Sequence, residues 1–425
     1  MRVRTLVKAM AAVTAALLGA VTGAGVGAPP AAGAPKTGQP PADFASWIEG
    51  EMHSAQIPGA SVAVVKNYRV EWAAGFGLAD VHTGRKVNTD TPFQIASVSK
   101  PIAAIAIIES FFDHGVSLTA PFAPIRFPDG SMWTVPNTYS RPVTAQGLLS
   151  HTAGIAAFHY SGLEPGQVLP TLAQELNGQP PATTPPITVA TEPGTRWEYA
   201  PGGYTMLQAA VEQQNDWRPF ERIVDEYVLD KIPGLRNSSF AAPPSAALAD
   251  RLAVPYLPDG SALPGGARVF TAKASGSMVS TPIDMARIMI AFQEALAGWP
   301  SPIPGSVARA MMTRQPARMP DGHCLSTAEP NTAACIAPWG LGFDVNMDAT
   351  FMDHIPDDRP TGDWFGHSGF NSGYLSFFLA SKTGGNGLVV MINAAPADMA
   401  TSDIPELPFV TEVIKRIAND QNWRN

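Results

Sequence analysis

Thr91-Pro-Phe-Gln-Ile-Ala-Ser97-Val-Ser-Lys100-Pro-Ile-Ala-Ala-Ile-Ala-Ile-Ile108 is a short polar cluster that opens a long apolar run. The run, with Pro101 tolerated in the first turn, predicts a helix; being apolar nearly all round, it predicts one buried between layers. Ser97 then stands at the helix N-terminus, and Lys100, three residues on, lies on the same face beneath its hydroxyl. A serine hydroxyl is a poor nucleophile until a base takes its proton, and a desolvated lysine can help do so. Taken alone, the pair reads better as a serine cap followed by a surface lysine, because so short a pattern recurs by chance. The rest of the chain reverses that preference.

At 425 residues, 45% hydrophobic and 15% charged, the chain suits one large domain or two ordinary ones with a substantial core. A net charge of −8 without long acidic runs argues against a nucleic-acid partner, which would want a basic patch. Arg2, Arg4 and Lys8 precede an apolar, Ala-rich stretch from Met10 to about Val26, the pattern of an export signal. Residues 1–34 are therefore assigned to signal and cleavage region and 35–44 to a linker. The cut position is open: Ala32-Gly33-Ala34 is followed by Pro35, and a cut near Ala24 or Ala28, or retention as an anchor, is an alternative. Membrane association is expected only in the anchored case, since no later run reaches about 18 apolar residues. Two cysteines, Cys324 and Cys335, share a loop-like stretch. In an exported protein they are expected to form one disulfide, worth roughly 2–3 kcal/mol. His323 beside Cys324 suggests zinc, but no second pair completes a metal site.

Alternating β-branched residues after Gly59, with a turn near Asn67, predict an antiparallel hairpin preceded by a helix over about 41–55. Helices are expected over about Tyr204–Asn215, Pro219–Lys231 and, opened by the cap Thr281-Pro-Ile-Asp284, as far as Ala297. After Trp339-Gly-Leu-Gly-Phe-Asp-Val345 strands return, with a hairpin of Tyr374–Ala380 and Leu388–Asn393, and a last helix near Leu407–Asn419. Strands at both ends with helices between imply an α+β fold. Its antiparallel sheet comes from the N- and C-terminal segments, flanked by helices (about 45–98 and 338–420). A mostly helical subdomain, about 99–337, is inserted.

Three clusters accompany Ser97: Leu148-Leu-Ser-His151-Thr-Ala-Gly154, Pro193-Gly-Thr-Arg-Trp-Glu-Tyr199-Ala-Pro-Gly-Gly-Tyr204 and His367-Ser-Gly-Phe-Asn-Ser-Gly373. With Ile57-Pro-Gly-Ala-Ser-Val-Ala-Val-Val65, Gly75-Phe-Gly-Leu-Ala-Asp80 and Ser275-Gly-Ser-Met-Val-Ser-Thr-Pro-Ile-Asp-Met-Ala286, they resemble, in order, the serine β-lactamase-related family. That family includes class C β-lactamases, D-alanyl-D-alanine carboxypeptidases and β-lactamase-fold esterases, and the resemblance covers roughly 45–415. It implies that Ser97 is an acylating nucleophile and that Lys100 and Tyr199 are its base pair, the ammonium lowering the phenol's pKa. It further implies that His367 stands where relatives carry the lysine of Lys-Thr-Gly. The N–H groups of Ser97 and Phe370 would form an oxyanion hole, Ser368 and Gly369 would bind substrate, and no cofactor or metal would be needed. His151 is expected to make a structural hydrogen bond, and the Pro-rich stretch 156–193 is a candidate wall of the site.

Two decoys and two departures qualify the match. Lys382-Thr-Gly384 is a literal Lys-Thr-Gly but falls in a hairpin turn and reads as solvated. Gly59-Ala-Ser61-Val-Ala63 lacks the last glycine of a nucleophile elbow. Pro201 replaces the family's amide-reading Asn, and His367 replaces a fixed positive charge. The expected activity is hydrolysis of a small ester, amide or peptide through an acyl-enzyme. The alternatives are a penicillin-binding or sensor-like protein that acylates without turnover, a true β-lactamase, and a silent scaffold.

Overall fold

The computed structural model describes residues 38–318, 337–347, 363–398 and 406–423. The signal region and both cysteines lie outside the described residues. Strands β1 (Gly59–Lys66) and β2 (Arg69–Asp80) form the expected hairpin. Its turn residues Asn67 and Tyr68 both take positive φ, 50° and 61°, as a two-residue hairpin turn with the right twist requires. β3 (Arg85–Lys86) comes next in the chain; β4 (Asp344–Met347), β5 (Trp364–Asn371), β6 (Tyr374–Ser381) and β7 (Gly387–Ile392) come from its far end. The sheet order is β3-β2-β1-β7-β6-β5-β4, and every pairing is antiparallel. The seam is β1 against β7, from Ala60 opposite Ile392 to Val65 opposite Gly387. The two ends of the chain therefore build one sheet, as the strand pattern requires.

Five helices cover the sheet or frame the nucleophile: α1 (Ala42–Ser54), α2 (Ser99–Asp113), α3 (Gly202–Gln214), α4 (Pro282–Leu296) and α5 (Leu407–Asp420). Strand alternation splits the core in two. Val62 and Val64 of β1 join Phe44 and Ile48 of α1 and Val413 of α5 on one face. Ala63 and Val65 join Ile105 of α2 and Met285 and Phe292 of α4 on the other. Every α2 residue from Ser99 to Phe111 is buried, which matches its all-round apolarity. The Thr281 hydroxyl caps α4 by accepting the Asp284 N–H at 3.3 Å. The placement of α4 corrects the expected division of the chain. Although it falls inside 99–337, it packs across β1, β2 and β7, so the sheet's own layers draw a helix out of the inserted segment.

Candidate active site

A tight turn, Ala96–Val98, leads into α2 and carries Ser97. Ala96 is held at φ +49°, a left-handed conformation that persists only where surrounding structure imposes it. Here it is imposed from several sides. The Ile95 N–H donates to the Met278 carbonyl at 3.0 Å, the Met278 N–H to Ser99 Oγ at 3.1 Å, and Ser376 Oγ–H to the Ile95 carbonyl at 2.6 Å. One helical turn on, Lys100 is 1% exposed. Its Nζ donates to Ser97 Oγ at 3.0 Å and to the Ser275 carbonyl at 2.5 Å. Burial pushes this amine down from 10.5 to about 7, because the ammonium loses its hydration. At that value about half of the amine is neutral at pH 7, and the neutral form, beside the hydroxyl, can accept its proton.

Tyr199 sits in the loop before α3, its ring centroid 5.0 Å from Lys100 Nζ. The hydroxyl is buried without a hydrogen bond of good geometry. Burial holds the phenol far above its ordinary range, and the nearby Ser97 side chain offsets only part of that. This corrects the expectation that an ammonium makes the phenolate accessible. Burial moves the amine down and the phenol up.

β4 pairs with β5 only at Gly366 and Trp364, and the Ser97 turn packs against β5. His367 of β5 is 2% exposed. Its Nδ1 donates to the Ser368 carbonyl at 2.5 Å; a carbonyl only accepts, so the proton is on Nδ1 and Nε2 carries the lone pair. Burial, with a smaller push from Lys100, takes this imidazole down to about 3. It is neutral throughout the working range, more firmly than its ordinary value implies. Gly369 is buried and does not line the cavity. A Cβ there would lie 2.2 Å from the Ile95 carbonyl oxygen and 2.5 Å from Ser376 Oγ, so the absent side chain lets β5 close onto the nucleophile turn. Ser368, by contrast, is exposed and faces the cavity.

A cavity of about 280 Å³ brings Ser97, Lys100, Tyr199, Pro201, His367, Ser368 and Phe370 together. His159, Tyr160 and Ser161 supply a wall from the 156–193 stretch. Two participants escaped the sequence reading. Ser275 acts through its carbonyl on Lys100, and its Oγ donates to the Pro201 carbonyl at 3.2 Å; main-chain roles leave no side-chain pattern. Trp339 stands edge-on to His367 at 5.3 Å and to Tyr199 at 5.9 Å between ring centroids; its only signal was an aromatic residue in a glycine-rich turn. His151 makes its structural hydrogen bond, accepting the Ala200 N–H on Nδ1 at 3.1 Å. Lys382 is not the solvated lysine expected. It is half-buried near Asp363 and Asp344, and it does not line the cavity.

Esterase EstB of Burkholderia gladioli is 28% identical over 221 residues, 48% of this chain and 52% of the esterase. Protein flp of Staphylococcus aureus is 29% identical over 114 residues, 25% of this chain and 21% of flp. The chain thus aligns with about half of the esterase and a fifth of flp. D-amino acid amidase from Ochrobactrum anthropi SV3 has a similar fold, with a TM-score of 0.63 at 20% identity over 89% of this chain and all of that one. The β-lactamase/D-alanine carboxypeptidase of Yersinia pestis gives 0.59 at 20% identity over 88% of this chain and 99% of that one. The model of the family described as Beta-lactamase matches residues 44–407, a span that takes in Ser97, Lys100, Tyr199 and His367, and the chain belongs to that family.

Proposed function

We propose that the protein is a serine hydrolase that cleaves small esters or amides through a Ser97 acyl-enzyme. One observation carries this reading: Lys100 Nζ lies 3.0 Å from Ser97 Oγ in a buried setting that brings the amine's titration down to about 7. Ser97 Oγ attacks the substrate carbonyl carbon while its proton passes to Lys100. The developing oxyanion is met by the N–H groups of Ser97 and Phe370. As the carbonyl re-forms, the bond to the leaving alcohol or amine breaks, and that group takes the proton back from Lys100 by way of the Tyr199 hydroxyl. Water then attacks the acyl carbon while Lys100 accepts its proton; the bond to Ser97 Oγ breaks, Lys100 returns that proton to Oγ, and the acid leaves.

Pro201 has no side-chain amide, and His367 is neutral, so two interactions that would hold a β-lactam or D-Ala-D-Ala peptide are missing. A charge-assisted hydrogen bond is typically worth about 1.5–3 kcal/mol. The pair amounts to roughly 3–6 kcal/mol, or two to four powers of ten in kcat/KM. An activated short-chain ester needs neither. Assayed side by side, p-nitrophenyl acetate or butyrate is expected to turn over and a chromogenic cephalosporin to turn over slowly or not at all. A cephalosporin value well above the ester value overturns this substrate reading. Stable labelling by a fluorescent penicillin without turnover of any substrate supports the sensor-like alternative.

Export belongs to the same proposal and is supported by the N-terminal sequence alone. Peptide mapping of exported protein without reductant is expected to show Cys324 linked to Cys335. Two free thiols would remove the disulfide and weaken the argument for an oxidising compartment.

A further inference from the structure

The Leu149–Gly154 segment, prominent in the sequence, takes no part in the acyl-transfer chemistry, yet the Tyr199 loop is built on it. The Ala190 N–H donates to the Gly154 carbonyl at 2.7 Å and the Gly194 N–H to the Thr152 carbonyl at 2.7 Å. The Glu198 N–H donates to the His151 carbonyl at 2.9 Å, and the Ala200 N–H to His151 Nδ1 at 3.1 Å. The last two bonds bracket Tyr199, so one residue holds the backbone on either side of it. The His151 ring also packs on the Tyr199 ring, with centroids 4.3 Å apart. From the other flank, Tyr204 of α3 donates its hydroxyl to the Leu149 carbonyl at 3.0 Å, tying the start of α3 to the same segment.

These contacts dictate the residue type. His151 has φ +59°, a left-handed conformation in which His and Asn are enriched and most side chains are strained. Because Ala200 donates to Nδ1, that nitrogen must carry a lone pair and the ring proton sits on Nε2. Full burial and the nearby Lys100 and His367 push the imidazole well below its ordinary value, so the acceptor is not lost to protonation in the working range. His151 is not among the residues lining the cavity, so it has no direct contact with a substrate there.

We propose that His151 is a positioning residue that sets where the Tyr199 hydroxyl stands relative to Ser97 and Lys100. The grip is two hydrogen bonds on the flanking backbone and one ring contact on the phenol. The inference rests on the reading that Tyr199 handles a proton in turnover.

The test is a double-mutant cycle with p-nitrophenyl butyrate, each variant checked for folding by circular dichroism. His151→Ala is expected to lower kcat about 30- to 100-fold with KM changed less than about threefold. In a Tyr199→Phe background the same change is expected to cost less than about threefold more, because residues acting through one group are not additive. His151→Asn keeps an acceptor near the position of Nδ1 and tolerates the left-handed backbone; it is expected to stay within about tenfold of the parent kcat. Equal losses in both backgrounds, a folded His151→Ala protein with parental kcat, or a folded His151→Asn protein no better than Tyr199→Phe would each overturn the proposal. Should the alanine variant not fold, the asparagine variant decides. Tyr199→Phe with undiminished kcat removes the underlying reading of Tyr199, and the inference falls with it. A defective Tyr199→Phe protein with additive losses rejects the role of His151 alone.

Discussion

Ser97→Ala is expected to fold as the parent does and to lose ester turnover by about 10⁴- to 10⁶-fold, the scale at which removal of a nucleophile acts. The hydroxyl stands in the cavity wall, hydrogen-bonded to Lys100. Lys100 Nζ keeps the Ser275 carbonyl when that bond goes, so no buried amine is left without a partner. The turn itself is held by Ile95, Ser99 and Ser376, none of which the substitution touches. Stability is therefore expected to change by less than about 1 kcal/mol. Labelling by a fluorophosphonate should vanish together with turnover. A folded Ser97→Ala protein that still hydrolyses p-nitrophenyl butyrate would place the nucleophile elsewhere.

Lys100→Met is expected to move activity and stability in opposite directions. Turnover should fall by at least about 10³-fold, because no other group beside Ser97 is ready to take its proton. Stability should rise. The folded state brings this amine from 10.5 down to about 7, and each tenfold loss of proton affinity is worth about 1.4 kcal/mol. Below pH 7 the amine is protonated in both states, so folding carries the whole penalty there. Between about 7 and 10.5 the unfolded chain binds the extra proton, and the parent's stability climbs with pH. The advantage of Lys100→Met over the parent should thus be largest near pH 6 and narrow steadily above 7, read as the difference in denaturant midpoint. The same titration predicts that the parent's kcat/KM rises with pH through about 7 and then levels. A methionine variant less stable than the parent at pH 6 would contradict the desolvated state of Lys100, and a flat parental pH profile would contradict its role as base.

Where function depends on neighbours in the chain, the residue pattern was sufficient. Ser97 and Lys100 are three apart where a tight turn runs into a helix whose all-round apolarity announces its burial, so the spacing itself suggests that they meet. The hairpin at Asn67, the cap at Thr281 and the sheet shared by the two ends of the chain are legible for the same reason: period-2 patterning, turn residues and caps act over a few residues. Tertiary structure decided what depends on distant segments. The proton affinity of Lys100 is set by its burial, and its second hydrogen bond comes from a carbonyl at Ser275. The phenol of Tyr199 goes up rather than down because the packed loop excludes water from its hydroxyl. The missing side chain of Gly369 lets β5 approach Ile95, and α4 joins the sheet although its place in the chain assigns it to the helical insertion. Burial and long-range hydrogen bonds have no period and no fixed spacing, so one chain read from end to end holds their participants without showing which of them meet.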